Sequence, residues 1–525
     1  MNAGLAQKAP PSRGDGAPLA VTLAAFAAGF VVAGAFLAGV EGAPEISLVA
    51  LAIPAAIGLT LLALRRPVVA VTTVFVLMAF SGFIEVNMGI PARPPIYVLL
   101  SAIAAATLIS YAVTVRTKRA TIWPGVIVLF VFVLYAAVHI PFAETLEVGG
   151  RGFLLGPSFI LVFFAIAYAR WTDQTRWRIF QALIVVALIT GAYALFRLIV
   201  GPTAAEQNIA RLSAGIQGDL ALFGSLPNRV QLGGFSAILT PAMLAAALTT
   251  TGRWRLASIA AFGLIVVALF GSQVRIALVA AVIGIAVVIV LFQASRAFST
   301  GKYALTSLAV AGLLVTGALG YALTISDSPA KEERFSRILN PGADYSFQQR
   351  LKKWEEAVDQ INREPLGQGL GTAGTAQRRF SRLVRLDNFY VDNSYLQLGI
   401  QLGYPGVLLL VTGCVLILWL LAKSAILTTD KRRATLGIAG SAALVTWLAD
   451  LVGGNNLELW GAVLLWILLG VTAGAFVSGS SSPRRGVRSI RGAPAEGNGR
   501  PADSAGRAAP DIVGERRARS PVTAR

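Results

Sequence analysis

Apolar residues along this chain come in long runs, and polar residues gather in the short breaks between them. A helix needs about 20 apolar residues to cross a bilayer, and about fourteen runs approach that length. They are 19–40, 46–64, 67–84, 95–115, 122–142, 153–169, 179–200, 232–250, 256–271, 276–293, 303–325, 402–422, 434–452 and 457–478. The pattern predicts an all-α, polytopic membrane protein with about fourteen transmembrane helices. No small-residue cleavage site follows the first run, so it reads as a retained span rather than a signal peptide.

The breaks carry an orientation signal. Alternate breaks are basic: "RRP" (65–67), "RTKR" (116–119), "RWTDQTRWR" (170–178), "GRWR" (252–255), "SRAFSTGK" (295–302) and "KSAILTTDKRR" (423–433). Among those between them, "EGAPE" (41–45) and "GGNNLE" (453–458) have no Lys or Arg. Basic loops stay in the cytoplasm, so both termini are expected there. One join decides the scheme. Residues 256–293 are either a hairpin turning at "GSQVR" (271–275) or one kinked crossing. The charge alternation favours the hairpin.

Three segments stand apart from the spans. Residues 1–18 are rich in Gly, Pro and Ala, and 479–525 form a basic tail with few large apolar residues. Both read as disordered cytoplasmic ends. Residues 326–401, between membrane helices in 19–325 and 402–478, form a large external loop. It is partly helical: Phe347, Leu351, Trp354, Val358 and Ile361 recur at steps of three and four, and Pro365 ends the stripe.

Composition narrows the classes. The 525 residues are 55% hydrophobic and 14% charged, with a formal charge of +19. That charge lies largely in the tail and basic breaks, so it reads as an orientation signal and lipid contact, and no nucleic-acid partner is expected. With one cysteine, Cys414, and one histidine, His139, neither a disulfide nor a cysteine-based metal site is expected. No cofactor is expected either.

Ionisable residues inside spans mark function. Here Glu85, His139, Arg197, Arg275, Asp450 and Glu458 fall toward the outer boundary, leaving the midplane largely apolar. A transporter needs polar groups near the midplane; an enzyme at the outer surface needs this bias. External arginines run against the orientation rule. Arg151, Arg211, Arg229 and Arg275 lie in short external segments, and the insert adds Arg334, Arg337 and Arg350. Guanidinium grips phosphate in bidentate fashion, so a phosphate-bearing lipid is the implied substrate class. "PLGQGLGTAG" (365–374) lacks the Gly-Lys-Ser/Thr ending of a P-loop; it is open between a packed backbone turn and a phosphate cradle. Asp392 and Asn393 stand where the insert re-enters the membrane, and Asp392 is open between an N-cap and a chemical role.

Four stretches carry a resemblance: residues 211–243, with an Arg and a Pro-Asn pair; 269–285, a span pair joined by Ser-x-x-Arg; 346–371, an Arg-x-x-x-Trp helix followed by Pro-x-Gly-x-Gly; and 392–410, closing the external loop. Together they resemble the bacterial O-antigen ligase and polysaccharide polymerase superfamily. The resemblance implies a metal-independent glycosyltransferase. Such an enzyme moves a glycan from an undecaprenyl-diphosphate carrier to an acceptor hydroxyl on a glycan, lipid or protein. It also implies that Arg211, Arg275 and Arg350 hold the diphosphate, with Arg229 and Arg151 nearby. Many ligases have His-Asn where this chain has Asp392-Asn393; Asp392 is then the candidate base, with Asn393 beside it. The rival reading is a lipid-linked glycan flippase or another multi-span transporter.

Overall fold

The computed structural model describes residues 58–89, 92–114, 123–208, 222–298, 312, 317, 345–374, 391–454 and 456–477. Among them there is helix and no strand. The helices are α1 Gly58–Arg65, α2 Pro67–Ala79, α3 Arg93–Thr114, α4 Pro124–Val138, α5 Leu146–Leu155, α6 Ser158–Tyr168 and α7 Asp173–Val200. After these come α8 Arg229–Thr249, α9 Gly252–Ser272, α10 Arg275–Ala294, α11 Tyr345–Arg363, α12 Ser394–Leu427, α13 Lys431–Asp450 and α14 Trp460–Val477.

Seven of these helices are long and apolar enough to cross a membrane, or nine if each of two bent pairs is one crossing. The protein is therefore an integral membrane protein. Fourteen remains the sequence expectation, since the run 19–40, most of 46–64 and all but residues 312 and 317 of 303–325 lie outside the described residues. The first bent pair turns by 118° between α1 and α2, at the "RRP" break, where Pro67 opens the new helix. The second bends by 40° between α5 and α6. Here the predicted run 153–169 gains a preceding amphipathic half, which holds Arg151.

Two helices form the centre. The apolar stretch of α8 is wholly buried and that of α14 almost so. Around α8 stand α9, α10, α13 and α14; α14 also packs on α6, and α12 packs on α4 and α13. Small residues allow close approach, as membrane helix pairs require. A Cβ at Gly284 of α10 would overlap Thr446 Oγ1 of α13 and touch Pro241 of α8. Polar α13 is not among the seven, yet it is buried from Ala434 to Leu444 because it lies between other helices.

The turn at 271–275 is a hairpin and not a kink. Gln273 adopts the left-handed conformation and Val274 is extended. Gly233, one turn into α8, faces Val274, and Gly284 faces Pro241, so α10 runs back parallel to α8. At the far end Ser295 and Arg296 bond to Ala425 O and Ile426 O, at 3.1 and 3.0 Å. Arg433 meets Asp173 there too, at 2.7 Å. One end of the bundle thus gathers basic breaks, and the other carries the insert.

The insert is seated by backbone. α12 breaks at Gly403 (φ 65°), two residues before Pro405. Proline has no N–H, so Gln401 O loses its helical donor. Gly369 N supplies a replacement at 3.1 Å. Tyr404 N turns to Pro365 O at 3.0 Å, and the freed Ile400 O accepts from Gln368 N at 2.9 Å. Leu370 N bonds to His139 O at the end of α4, at 3.1 Å, and Gly371 N to Gln401 Oε1 at 2.9 Å. A Cβ at Gly369 (φ 105°) would come within 2.3 Å of Phe142 C; glycine fits both the angle and the space. With its amides spent in this way, the glycine loop is a packed turn, and the phosphate-cradle alternative falls. His139 belongs to the same seat: its ring nitrogens lie 2.9 Å from Tyr135 O and 3.0 Å from Leu366 O.

Candidate functional site

At the insert end, four elements bring charged side chains together. α8 begins at Arg229 because Asn228 caps it, its Oδ1 accepting from Gln231 N at 2.9 Å. α10 begins at Arg275, straight after the hairpin turn. Arg229 lies within electrostatic reach of both Arg275 and Arg350. Arg350 stands on α11, which turns Ala357 and Ile361 into a small core with Ala373, Val391 and Ile400, with Trp354 packed against it. Part of the predicted stripe shifts: Val358 is exposed and Ala357 takes the inward place. The side chain of Phe347 lies outside the described residues.

Asp392 completes the group. Its Oδ2 lies 3.2 Å from Arg350 Nε, and the two side chains are 32% and 45% exposed. The backbone around it is firmly held. Val391 is buried in the small core. Asn393 is buried and caps α12, its Oδ1 accepting from Tyr395 N at 3.0 Å and Leu396 N at 3.2 Å. Ser394 bonds through N to Leu451 O at 2.9 Å and through Oγ to Gly454 O at 2.6 Å. Tyr395 OH reaches Leu448 O at 2.7 Å. Of residues 391–394, only Asp392 projects a side chain that is not buried. The N-cap is therefore Asn393, and the cap reading of Asp392 is corrected. Asn393 caps α12 through its carbonyl oxygen.

The other arginines divide. Arg151 lies on α5 and pairs with Glu147, one turn earlier, at 2.7 Å. Arg197 is buried in an ion pair with Glu206, and Thr203 N bonds to that carboxylate at 2.8 Å; this pair closes the end of α7. Arg211, Arg334 and Arg337 lie outside the described residues.

Two features went unread in the sequence. Gln397 Nε2 donates to Glu458 Oε1 at 2.7 Å. Both line a narrow slot with Gln401, Phe132, Trp447 and Trp466, below the glycine loop. Gln397 follows Asn393 by one helical turn, and that spacing was its one available signal. The second is a buried knot in which Asn456 Nδ2 donates to Asp450 Oδ2, and Asn456 N to Ser394 Oγ at 3.0 Å. In the sequence, "GGNNLE" reads only as a polar turn.

Arg229 is thus within electrostatic reach of two further guanidiniums, one of which, Arg350, pairs with a part-exposed carboxylate. Clustered guanidiniums suit a multivalent anion, and a carboxylate beside them can accept a proton. The fold is that of a polytopic helical membrane protein with an insert seated at one end. Residues 260–411 match the O-antigen ligase family, which supports the resemblance to the O-antigen ligase and polysaccharide polymerase superfamily. The matched stretch is less than a third of the chain, yet it contains Arg275, Arg350, Asp392 and Asn393. The family supports a glycan-ligating membrane enzyme. No curated protein matches the chain.

Proposed function

We propose that this protein transfers a glycan from an undecaprenyl-diphosphate carrier to an acceptor hydroxyl at the outer face of the bacterial plasma membrane. The reaction serves cell-surface polysaccharide assembly. One observation carries the reading: Arg229 lies within electrostatic reach of Arg275 and Arg350, and Arg350 pairs with Asp392, at the insert end of the bundle.

The arginines bind the diphosphate and stabilise the charge that grows on it as the glycosidic bond breaks. Asp392 accepts the proton of the acceptor hydroxyl. The acceptor oxygen forms the new bond to the anomeric carbon, the carbon–oxygen bond to the diphosphate breaks, and undecaprenyl diphosphate leaves with that electron pair. A glycan, a lipid or a protein can present the hydroxyl. The scheme needs no metal. Both termini lie in the cytoplasm, with the basic breaks on their side and the insert outside.

The test uses the full-length protein in nanodiscs with a defined undecaprenyl-diphosphate-linked oligosaccharide and candidate acceptors. Release of undecaprenyl diphosphate together with an enlarged glycan or a glycosylated acceptor is the expected result. Movement of the intact lipid-linked glycan across a vesicle membrane without any transfer would replace this reading with that of a carrier.

A further inference from the structure

We infer that Arg350 holds Asp392 in check until the donor arrives, and that the donor's diphosphate is what frees the carboxylate. This inference rests on the donor reading above. Asp392 Oδ2 meets Arg350 Nε at 3.2 Å, so the oxygen that would receive a hydroxyl proton already sits in an ion pair with a guanidinium. The pair is substantially exposed. Exposed pairs are weak, because water screens them and two side chains must be held still. An incoming anion can therefore exchange with the carboxylate at little cost.

The neighbourhood favours that exchange. Arg229 lies within electrostatic reach of Arg350 and adds positive charge to that side of the site. A diphosphate offers more charge and more acceptor oxygens, and each arginine can grip it through two N–H groups. The backbone on either side of Asp392 is fixed by buried Val391 and by the cap at Asn393. The side chain can swing clear of Arg350 without moving the chain. Binding is then ordered, donor before acceptor, and an empty site does not activate hydroxyls or water.

The experiment measures affinity for undecaprenyl diphosphate itself, without glycan, on full-length protein in nanodiscs. Asp392→Asn removes the competitor for Arg350. It should bind about two- to five-fold tighter than wild type, the range an exposed ion pair commands. Asp392→Ala reads the same competition independently. Arg350→Gln should weaken binding, and adding Asp392→Asn to it should change nothing further. Equal or weaker binding by both Asp392 variants overturns the latch. So does tightening that persists undiminished in the Arg350→Gln background, because that would be through-space repulsion alone. If wild-type protein does not bind undecaprenyl diphosphate, the donor reading itself fails.

Discussion

The division of labour between Asp392 and its neighbour can be tested by two substitutions one residue apart. Asn393 Oδ1 accepts from two main-chain amides at the start of α12, and the residue is buried. In Asn393→Ala both amides lose their acceptor where water cannot fully replace it. Losing an N-cap costs about 1 kcal/mol, and up to about 2 when the site is tight. Asn393→Asp and Asn393→Ser keep an oxygen in place and should recover most of that. Asp392→Asn touches no such bond. It loses only the exposed pair with Arg350, so its effect on stability should stay within about 1 kcal/mol. Its effect on transfer should be far larger. A general base contributes about 10²- to 10⁴-fold, and an amide does not take up a proton at neutral pH. The assay pairs thermal unfolding in detergent with glycan-transfer rates for all four variants. Asn393→Ala should melt early yet turn over when folded; Asp392→Asn should melt normally and turn over poorly. Wild-type turnover by Asp392→Asn, or inactive but fully stable Asn393→Ser, would refute the assignment of base and cap.

Three further outcomes follow from the geometry. Lys in place of Arg229, Arg275 or Arg350 keeps the charge but loses the two-pronged grip; donor affinity should fall about ten- to a hundred-fold, as for a lost charged hydrogen bond. Gln401→Leu removes the acceptor of Gly371 N and the donor to Ala373 O; unfolding should be easier by about 1–3 kcal/mol for a buried group left unpaired, and an unchanged melting curve would show that the loop is seated otherwise. In a background without Cys414, single cysteines at Ser346 and Thr375 should react with an impermeant thiol reagent in intact cells, while those at Thr172 and Thr429 should not; the reverse pattern would invert the membrane orientation.

The features legible in the sequence were those carried by neighbours along the chain. The hairpin at 271–275 followed from charge alternation, and Asp392 was visible as a residue that favours helix starts, with Asn393 beside it. Which of them caps α12 was not visible, because that depends on the backbone angles at one position. The helix beginning at Ser394 was read from residue 402 onward because hydropathy sees apolar side chains. It does not see that Gln397 and Gln401 are buried under the insert. The glycine loop stayed open between two readings because the partners of its amides, His139, Ile400 and Gln401, lie 30 residues or more away in sequence. The count of external arginines did not separate its members: Arg151 and Arg197 have acidic partners four and nine residues away, a local signal that the count passed over.

The seat of the insert has a practical meaning for swapping parts. Its grip is mostly main chain to main chain, from Gln368, Gly369 and Leu370 to carbonyls on two membrane helices. Such bonds do not depend on which side chains the rest of the insert carries. The chain leaves this grip at Gly374 and returns at Val391, and both points are buried. A foreign segment spliced between those two residues would inherit its anchorage from the host.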